Sequence, residues 1–247
     1  MSVLTLRLAG PLQAWGASAR FARRTTESAP TKSGVIGMLA AARGMERGDD
    51  ETLARLAQLR FGVRIDQPGT RIRDFQTAHH GDTGKSMPLS ERYYLADAVF
   101  VAAVEGEGED GLLDELDAAL HHPVHAPYLG RRSCPPAHPV RLGLHHGTDL
   151  AEALQAEPWQ ASAWYRTQRR RDATVSLTVL REARPGEPDA DLLRDQPLSF
   201  AAEHRQHALR TVVTTTVEVP NPSARTASAS RSVPRHDPFA ALEEESA

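Results

Sequence analysis

The sequence predicts a mixed α and β protein, and three patterns support this fold class. Residues 3 to 8 carry mostly alternating apolar side chains, as expected for a strand. An apolar helical pattern runs from about residue 33 to 44, and a second amphipathic stretch precedes a strand at residues 60 to 65. Strand and helix patterns recur at 94 to 104 and 112 to 120. This order fits either a βαβ unit or a ferredoxin-like β-α-β-β-α-β fold.

The remaining segments are assigned from composition and periodicity. The polar, glycine-containing stretch from 67 to 92 is interpreted as an inserted hairpin or long loop. Short apolar runs predict strands at 140 to 144, 174 to 180 and 211 to 219, and a short helix at 150 to 154. Residues 182 to 198 are expected to form a loop, and residues 200 to 209 a short helix. From residue 220 onward, the chain is expected to be extended or disordered.

Composition limits the possible functions. The 247 residues are 40% hydrophobic and 25% charged, which is typical of a globular protein. The net charge is −3, so any nucleic-acid site must be a local basic patch. The single cysteine, Cys134, excludes an internal disulfide and favours a reducing, cytoplasmic location. With no evident signal peptide and no apolar run near 18 residues, we expect no membrane partner.

The first strand-to-helix connection, residues 10 to 37, is a candidate phosphate site. It contains Arg20, Arg23, Arg24 and Lys32 among several glycines, and either Thr31 or Ser33 can cap the following helix. A helix N-terminus presents unpaired N–H groups and partial positive charge. The pattern therefore favours binding to a phosphorylated ligand or a nucleic-acid backbone, against the alternative of an ordinary solvated connection.

Two further segments are rich in arginine. Residues 125 to 136 place a glycine, two arginines and a serine between prolines, and such a loop can form an anion-binding nest. We expect this loop to meet the first strand-to-helix connection in one groove. Residues 166 to 171 form another basic cluster, interpreted as a solvated face, with contact to DNA or to another protein left open.

Several motifs in this order together resemble one known family. They are Gly10-Pro-Leu-Gln-Ala-Trp-Gly16, Pro30-Thr-Lys-Ser-Gly-Val-Ile-Gly37, Phe61-Gly-Val-Arg-Ile-Asp-Gln-Pro-Gly69, Asp74-Phe75, Tyr128-Leu-Gly-Arg-Arg-Ser-Cys-Pro-Pro136 and Pro197-Leu-Ser-Phe200. Each motif alone is weak, but the first five, in this order and with fitting spacing, are specific. Over roughly residues 1 to 219, the chain resembles the CasD subunits of the type I-E CRISPR effector complex, Cascade.

The resemblance implies a ferredoxin-like (RRM-like) core of the repeat-associated RNA-binding superfamily. That core is expected within residues 1–145, with a protruding hairpin thumb at about 67–95. A smaller β-rich region is expected at 146–219 and a tail at 220–247. The resemblance also implies a non-catalytic subunit that binds the 5′ handle of the CRISPR RNA. Its expected partners are the CasC backbone, which it caps, the large subunit CasA, other Cascade subunits, and target DNA in the assembled complex.

The resemblance also assigns candidate residues. Gln13 can pair with a base edge, and Trp15 or Tyr128 can stack on a base, although a core position for Trp15 stays open. The RNA-binding candidates are Gln13, Trp15, Gly16, Arg20, Arg23, Arg24, Thr31, Lys32, Ser33, Gly34, Tyr128, Gly130, Arg131, Arg132 and Ser133. The thumb candidates are Arg71, Arg73, His79, Lys85 and Arg92.

Alternative chemistries have weaker support. His79 and His80, with Tyr93 and Tyr94, are the candidates for a metal-independent endoribonuclease that processes precursor CRISPR RNA. The Lys32 helix start could bind a nucleotide, but the pattern GxxxxGK[ST] is incomplete. The histidines at 121, 122 and 125 near Cys134 lack repeated ligand spacing, so no metal or cofactor is expected.

Overall fold

The protein is described by a computed structural model that covers residues 1–16, 23–201, 203 and 205–225. None of the helices in this part of the chain is long and apolar enough to cross a membrane. In chain order the elements are β1 (Ser2–Ala9), β2 (Leu12–Gln13), β3 (Arg23–Arg24), α1 (Lys32–Ala42), α2 (Asp50–Gln58), β4 (Arg60–Gln67), β5 (Thr70–Gln76), β6 (Ser90–Ala96), β7 (Val99–Gly106), α3 (Asp110–His121), β8 (Arg141–His146), α4 (Leu150–Ala156), α5 (Ala163–Gln168), β9 (Thr174–Glu182), β10 (Asp191–Ser199) and β11 (Gln206–Pro220).

The main sheet has seven strands in the order β10-β11-β9-β4-β7-β1-β8. Every neighbouring pair in it is antiparallel, which excludes the βαβ alternative. The helices α1 and α2 connect β1 to β4, and α3 connects β7 to β8. Strands from the expected C-terminal region, β9 to β11, extend the same sheet, and the boundary predicted near residue 145 stays a prediction.

Side-chain alternation divides the sheet into two buried faces. Leu4, Leu6 and Leu8 of β1 point toward α1, α2 and α3 and belong to the largest apolar core. Val3, on the opposite face, packs with α4 and with alternate residues of β7 and β9. The period-two pattern that predicted a strand therefore also determines which residues of β1 face each group of helices.

A hairpin made of β5 and β6 is inserted between β4 and β7. Its two strands pair from Thr70 opposite Ala96 to Gln76 opposite Ser90, close to the predicted limits of 67 and 95. Strand β6 also pairs antiparallel with β2 and parallel with β3, so the connection after β1 is attached to the base of the hairpin. The continuous strand predicted from 94 to 104 is wrong, because the chain turns at Asp97, which has a φ of 55°.

Two C-terminal assignments are also wrong. The predicted loop at 182 to 198 contains β10, and the predicted helix at 200 to 209 gives way to β11 from Gln206 onward. Strand β10 lies at the edge of the sheet, where Pro197 is tolerated because one side needs no ladder partner. Its buried Asp195 breaks the apolar alternation, since that carboxylate accepts hydrogen bonds instead of packing against apolar side chains.

The end of the described chain is also held in place. Asn221 is buried, its side-chain amide donates to the carbonyls of Arg169 and Asp172, and the Arg225 N–H donates to the carbonyl of Arg170. Residues 221 to 225 are therefore attached to the body of the protein, and the extended or disordered tail expected at 220–247 stays a prediction. The rest of the predicted tail, 226–247, lies outside the described residues.

A four-charge network joins the start of α1 to the C-terminal strands. Lys32 Nζ lies 2.8 Å from Glu182 Oε1, and Arg210 Nη2 donates to Asp195 Oδ2 at 2.9 Å. The Lys32 backbone N–H donates to the same carboxylate oxygen at 2.7 Å. A buried charge left without its partner costs about 3–5 kcal/mol, so these groups depend on one another.

The loop from 125 to 136 is closely packed against the connection after β1. Ala14 N–H donates to the Leu129 carbonyl at 3.1 Å, and Leu129 N–H donates to the Cys134 carbonyl at 2.7 Å. Gly130 has a φ of 82°, and a Cβ atom there would lie 1.8 Å from the Ala14 carbonyl oxygen. Only glycine fits both the backbone conformation and the available space.

Replacement of this glycine should destabilise the fold. We expect Gly130→Ala to lower the free energy of unfolding by about 1–3 kcal/mol more than Gly147→Ala, because the added methyl group must displace the Ala14 backbone. Gly147 has a similar φ of 73°, and a Cβ atom there would meet no described atom within 4 Å, so it controls for backbone strain alone. Urea denaturation measures both values, and equal losses would contradict the packing argument.

Candidate nucleic-acid interface

The two basic loops meet, as predicted from the sequence. The Ala14–Leu129 hydrogen bond joins their backbones, and Arg131 Nη2 donates to the Arg24 carbonyl at 3.0 Å. The Arg131 guanidinium also lies over the Tyr94 ring, 4.6 Å from its centroid. Arg131 therefore connects the 125–136 loop, β3 and the hairpin, and its main contacts are internal.

The tip of the same loop faces solvent. Arg132 and Ser133 are exposed, as is Gly130, between the paired ends Leu129 and Cys134. Tyr128 is half-buried at the start of the loop. The Arg132 side chain makes no hydrogen bond or ion pair to any described residue, so its guanidinium is available to a ligand.

A groove of about 790 Å³ runs between this loop and α1. Its floor is a stripe of small residues on one helix face, at Gly34, Gly37, Ala41 and the position just after the helix, Gly44. The spacing of three and four residues places them in one row. Side chains of the protein itself lie against its glycines, since an added Cβ atom would meet Trp15 at 2.9 Å from Gly34, Phe200 at 3.5 Å from Gly37 and Val124 at 3.0 Å from Gly44. The groove volume lies within the usual ligand-pocket range of about 300–1,000 Å³.

Cationic and aromatic side chains surround this groove. Those that line it are Arg47, His125, Tyr128, Arg132, Phe200 and Arg205. The Arg205 guanidinium lies 6.0 Å from the centroid of the Phe200 ring. Sequence reasoning missed Arg47, Phe200 and Arg205 as site residues and noted glycines only for flexibility. The row of small residues at 34, 37, 41 and 44 was the signal available in the sequence.

Gln13 and Trp15 do not line this groove, so their side chains are not available to a ligand there. Both side chains are fully buried. The Gln13 amide donates to the carbonyls of Leu8 and Ala98, and its oxygen accepts from the Trp15 indole at 3.0 Å. This corrects the prediction that Gln13 reads a base edge, because all of its hydrogen-bonding groups are used internally. Trp15 takes the core position that the sequence left open.

The start of α1 is also occupied by the protein itself. Thr31 caps the helix by accepting from Gly34 N–H at 3.2 Å, while Lys32 N–H is bonded to Asp195. Burial lowers the pKa of the Lys32 ammonium below its ordinary value, and the Glu182 carboxylate opposes that shift. The predicted phosphate site at Thr31 and Lys32 is therefore wrong, since a carboxylate of the chain already holds that N-terminus. Ser33 and Gly34 still line the groove.

The arginines of β3 remain at the surface. Arg23 and Arg24 are exposed, as is Gly16. Arg23 Nη2 donates to the Tyr93 hydroxyl at 3.2 Å, and its Nε lies 4.0 Å from Glu91 Oε2. Because Glu91 partly neutralises Arg23, Arg24 has the less compensated charge. Arg20, another predicted contact, lies outside the described residues.

The hairpin carries the five predicted thumb residues along its length. Arg71 Nη2 donates to the Thr26 carbonyl at 2.7 Å, and Arg73 Nη1 donates to Glu91 at 3.3 Å. Arg92 is half-buried beside β3. His79 and Lys85 are exposed near the tip, where His79 bridges to Ser86. The hairpin base is thus bonded to the body, and its tip is free of it.

The described structure does not bring together the side chains that a ribonuclease, a cysteine nucleophile or a metal site would need. Tyr93 pairs opposite Arg73, six residues before His79, so the tyrosine and histidine candidates lie about 20 Å apart along the hairpin. Burial raises the pKa of the Cys134 thiol, which disfavours a nucleophilic thiolate. Within residues 1–16, 23–201, 203 and 205–225, no three His, Cys, Asp or Glu side chains are clustered for a metal ion.

Comparisons with known proteins agree with the motif resemblance. A family model described as CRISPR-associated protein (Cas_Cas5) matches residues 3–213. The chain is 37% identical over 169 residues to the CRISPR system Cascade subunit CasD of Escherichia coli K12, a match spanning 62% of this chain and 75% of that protein.

Solved structures extend the likeness to the fold. One described as a Cas protein shares 35% identity with a TM-score of 0.66, covering 90% of this chain and 97% of that one. A chain of a CRISPR RNA-guided surveillance complex shares 34% identity with a TM-score of 0.69, covering 91% of this chain and 93% of that one. The resemblance to CasD is thus confirmed, and this chain belongs to the Cas5 family of CRISPR-associated proteins.

Proposed function

We propose that this chain is a non-catalytic Cascade subunit of the CasD type that binds the 5′ handle of the CRISPR RNA in the α1 groove. The observation that carries the proposal is the groove itself, where a floor of small residues meets the arginine-bearing loop that Gly130 holds against Ala14. The CasD relative and the surveillance-complex relative support assembly with other Cascade subunits.

The handle RNA would be bound by two kinds of contact, to its phosphates and to its bases. Arg47, Arg132 and Arg205 would hold phosphates, which provide affinity and salt dependence but carry no sequence information. Tyr128 and Phe200 have flat faces on which unstacked bases can stack, at about 1–3 kcal/mol per base. Arg24 at the end of β3 would continue the basic path past the loop.

The strand order supports a ferredoxin-like, RRM-like core. Strands β8-β1-β7-β4 follow one another across the sheet, and in the chain they occur as strand, helices, strand, strand, helix, strand. We propose that the inserted hairpin is the thumb that contacts the CasC backbone. Its exposed apolar side chains, including Phe75 and Leu89, would be covered by that contact. In the assembled complex, this chain would also contact CasA and the target DNA.

Loss of one free cation should weaken handle binding. Because Arg132 has no described internal partner, Arg132→Ala should reduce the slope of log affinity against log salt by about one. Arg194→Ala removes an equally exposed arginine from β10, outside the groove, and serves as the control. Fluorescence anisotropy with labelled handle RNA across a salt series measures both slopes. If Arg132→Ala and the Arg194→Ala control gave the same salt slope, the handle RNA would not bind in this groove.

A steric block should have the same effect without changing charge. Ala41→Leu places a larger side chain on the groove floor and should lower handle affinity at least tenfold. Leucine and alanine have similar helix propensities, so the melting temperature should change little. Ala54→Leu, at an exposed position on α2, is the matched control. Retained affinity in Ala41→Leu would show that the RNA lies elsewhere.

The enzymatic alternative has a direct test. With the histidine and tyrosine candidates about 20 Å apart along the hairpin, we expect no specific cleavage of repeat RNA by the purified chain in the presence of a chelator. Gel analysis of end-labelled RNA measures this outcome. Specific cleavage that is abolished by His79→Ala would instead establish the endoribonuclease.

A further inference from the structure

The helix α5 and the turn after it carry a second basic surface, separate from the α1 groove. Arg169, Arg170 and Arg171 are exposed there, and Arg166 is half-buried. Trp164 is 51% exposed. The other two tryptophans, Trp15 and Trp159, also lie in the described part of the chain, and both are buried. We call Trp164, Arg166 and residues 169–171 the α5 surface.

A cavity of about 710 Å³ adjoins the α5 surface. Arg166 lines it from α5, and Arg7 lines it from the α4-facing side of β1. The Nε atoms of both arginines are buried and have no hydrogen-bond partner among the described residues. His138 and Asp97 also line this cavity, so one carboxylate opposes the two guanidinium groups. Arg166 Nη1 donates to the Trp159 carbonyl at 3.4 Å, and the two guanidinium groups bring positive charge to the cavity wall, which favours an anionic ligand such as a phosphodiester.

The α5 surface is held by internal contacts. The Tyr165 ring meets Trp159 edge to face at 6.0 Å, and Trp159 donates its indole N–H to the Asp66 carbonyl. Arg169 lies 4.8 Å over the Tyr165 ring, and the Trp164 and Tyr165 ring centroids are 5.5 Å apart. Trp164, Arg166 and Arg169 therefore keep a defined arrangement, which lowers the entropy cost of binding, whereas the Arg170 and Arg171 side chains make no hydrogen bond or ion pair to described residues.

We propose that the α5 surface and its cavity bind a single-stranded nucleic acid other than the strand in the α1 groove. Arg7 and Arg166 would hold one phosphate, Arg170 and Arg171 the next, and Trp164 would stack on an unpaired base. Among the residues that line the cavity the one carboxylate is that of Asp97, and Asp172 directly follows the arginine run, so five arginines face two named carboxylates. The close approach of Gly10 to the Pro135 carbonyl separates this cavity from the α1 groove.

Trp164 provides a direct reporter in the unmodified chain, because it is the exposed indole of three. Oligo-dT of about 15 nucleotides, which has no handle sequence, is added to the full chain already saturated with handle RNA. We expect the indole fluorescence to be quenched in a saturable, salt-dependent way. Oligo-U of equal length in a parallel titration shows whether the surface distinguishes DNA from RNA, and saturable quenching by either supports the proposal.

Variants locate the site. Trp164→Ala should weaken oligonucleotide binding, followed by anisotropy, about five- to hundredfold. The double variant Arg170→Ala, Arg171→Ala should reduce the salt slope by about two, whereas Arg194→Ala should leave it unchanged. All of these positions are exposed, so melting temperatures should stay close to that of the parent chain.

Three results would overturn the inference. The first is unchanged oligonucleotide binding in both α5 variants. The second is displacement of oligo-dT by handle RNA, together with loss of oligo-dT binding in Arg132→Ala. The third is quenching of the indole fluorescence by an acidic phosphopeptide but by neither oligonucleotide. The second result would place the DNA in the α1 groove and the third would assign the surface to a protein. Handle binding itself is judged separately by Arg132→Ala, so the two proposals can fail independently.

Discussion

The close contact of Gly130 with Ala14 is the constraint on which the α1 groove depends. A side chain at residue 130 would overlap the Ala14 carbonyl, so the two loops can approach only with glycine there. The same approach allows the Ala14–Leu129 hydrogen bond and brings Arg131 onto Tyr94 of the hairpin. One backbone position thus links the arginine loop, the first strand-to-helix connection and the base of the inserted hairpin.

The buried network of Lys32, Glu182, Arg210 and Asp195 explains why some predicted contacts lie inside the protein. A helix N-terminus favours an anion, and here the anion is the Asp195 carboxylate of the edge strand β10. The cation that was expected to hold phosphate instead joins α1 to the C-terminal strands. The proposed RNA contacts are therefore arginines on loops, such as Arg132, whose guanidinium has no partner among the described residues.

The two surfaces that we propose to bind anions lie on opposite sides of the sheet. On the side of α1, small residues form a floor and arginines form the rim of an open groove. On the side of α4 and α5, Arg7 and Arg166 line a cavity beside an exposed tryptophan. The net charge is −3, so both proposed sites depend on local groups of arginines that outnumber the carboxylates beside them, which are Glu46 in the groove and Asp97 in the cavity.

Local periodicity and motif order were enough to predict β1, α1, the inserted hairpin, the arginine loop and the Cas5 family. They could not predict β10 or the burial of Gln13, Trp15 and Lys32, because the environment of these residues is made by segments far along the chain. Polar side chains enter the interior only when distant partners satisfy them, as Glu182 does for the Lys32 ammonium and Asp195 does for the Arg210 guanidinium. Which cations face a ligand and which are already paired therefore depends on how the strands and loops assemble in three dimensions.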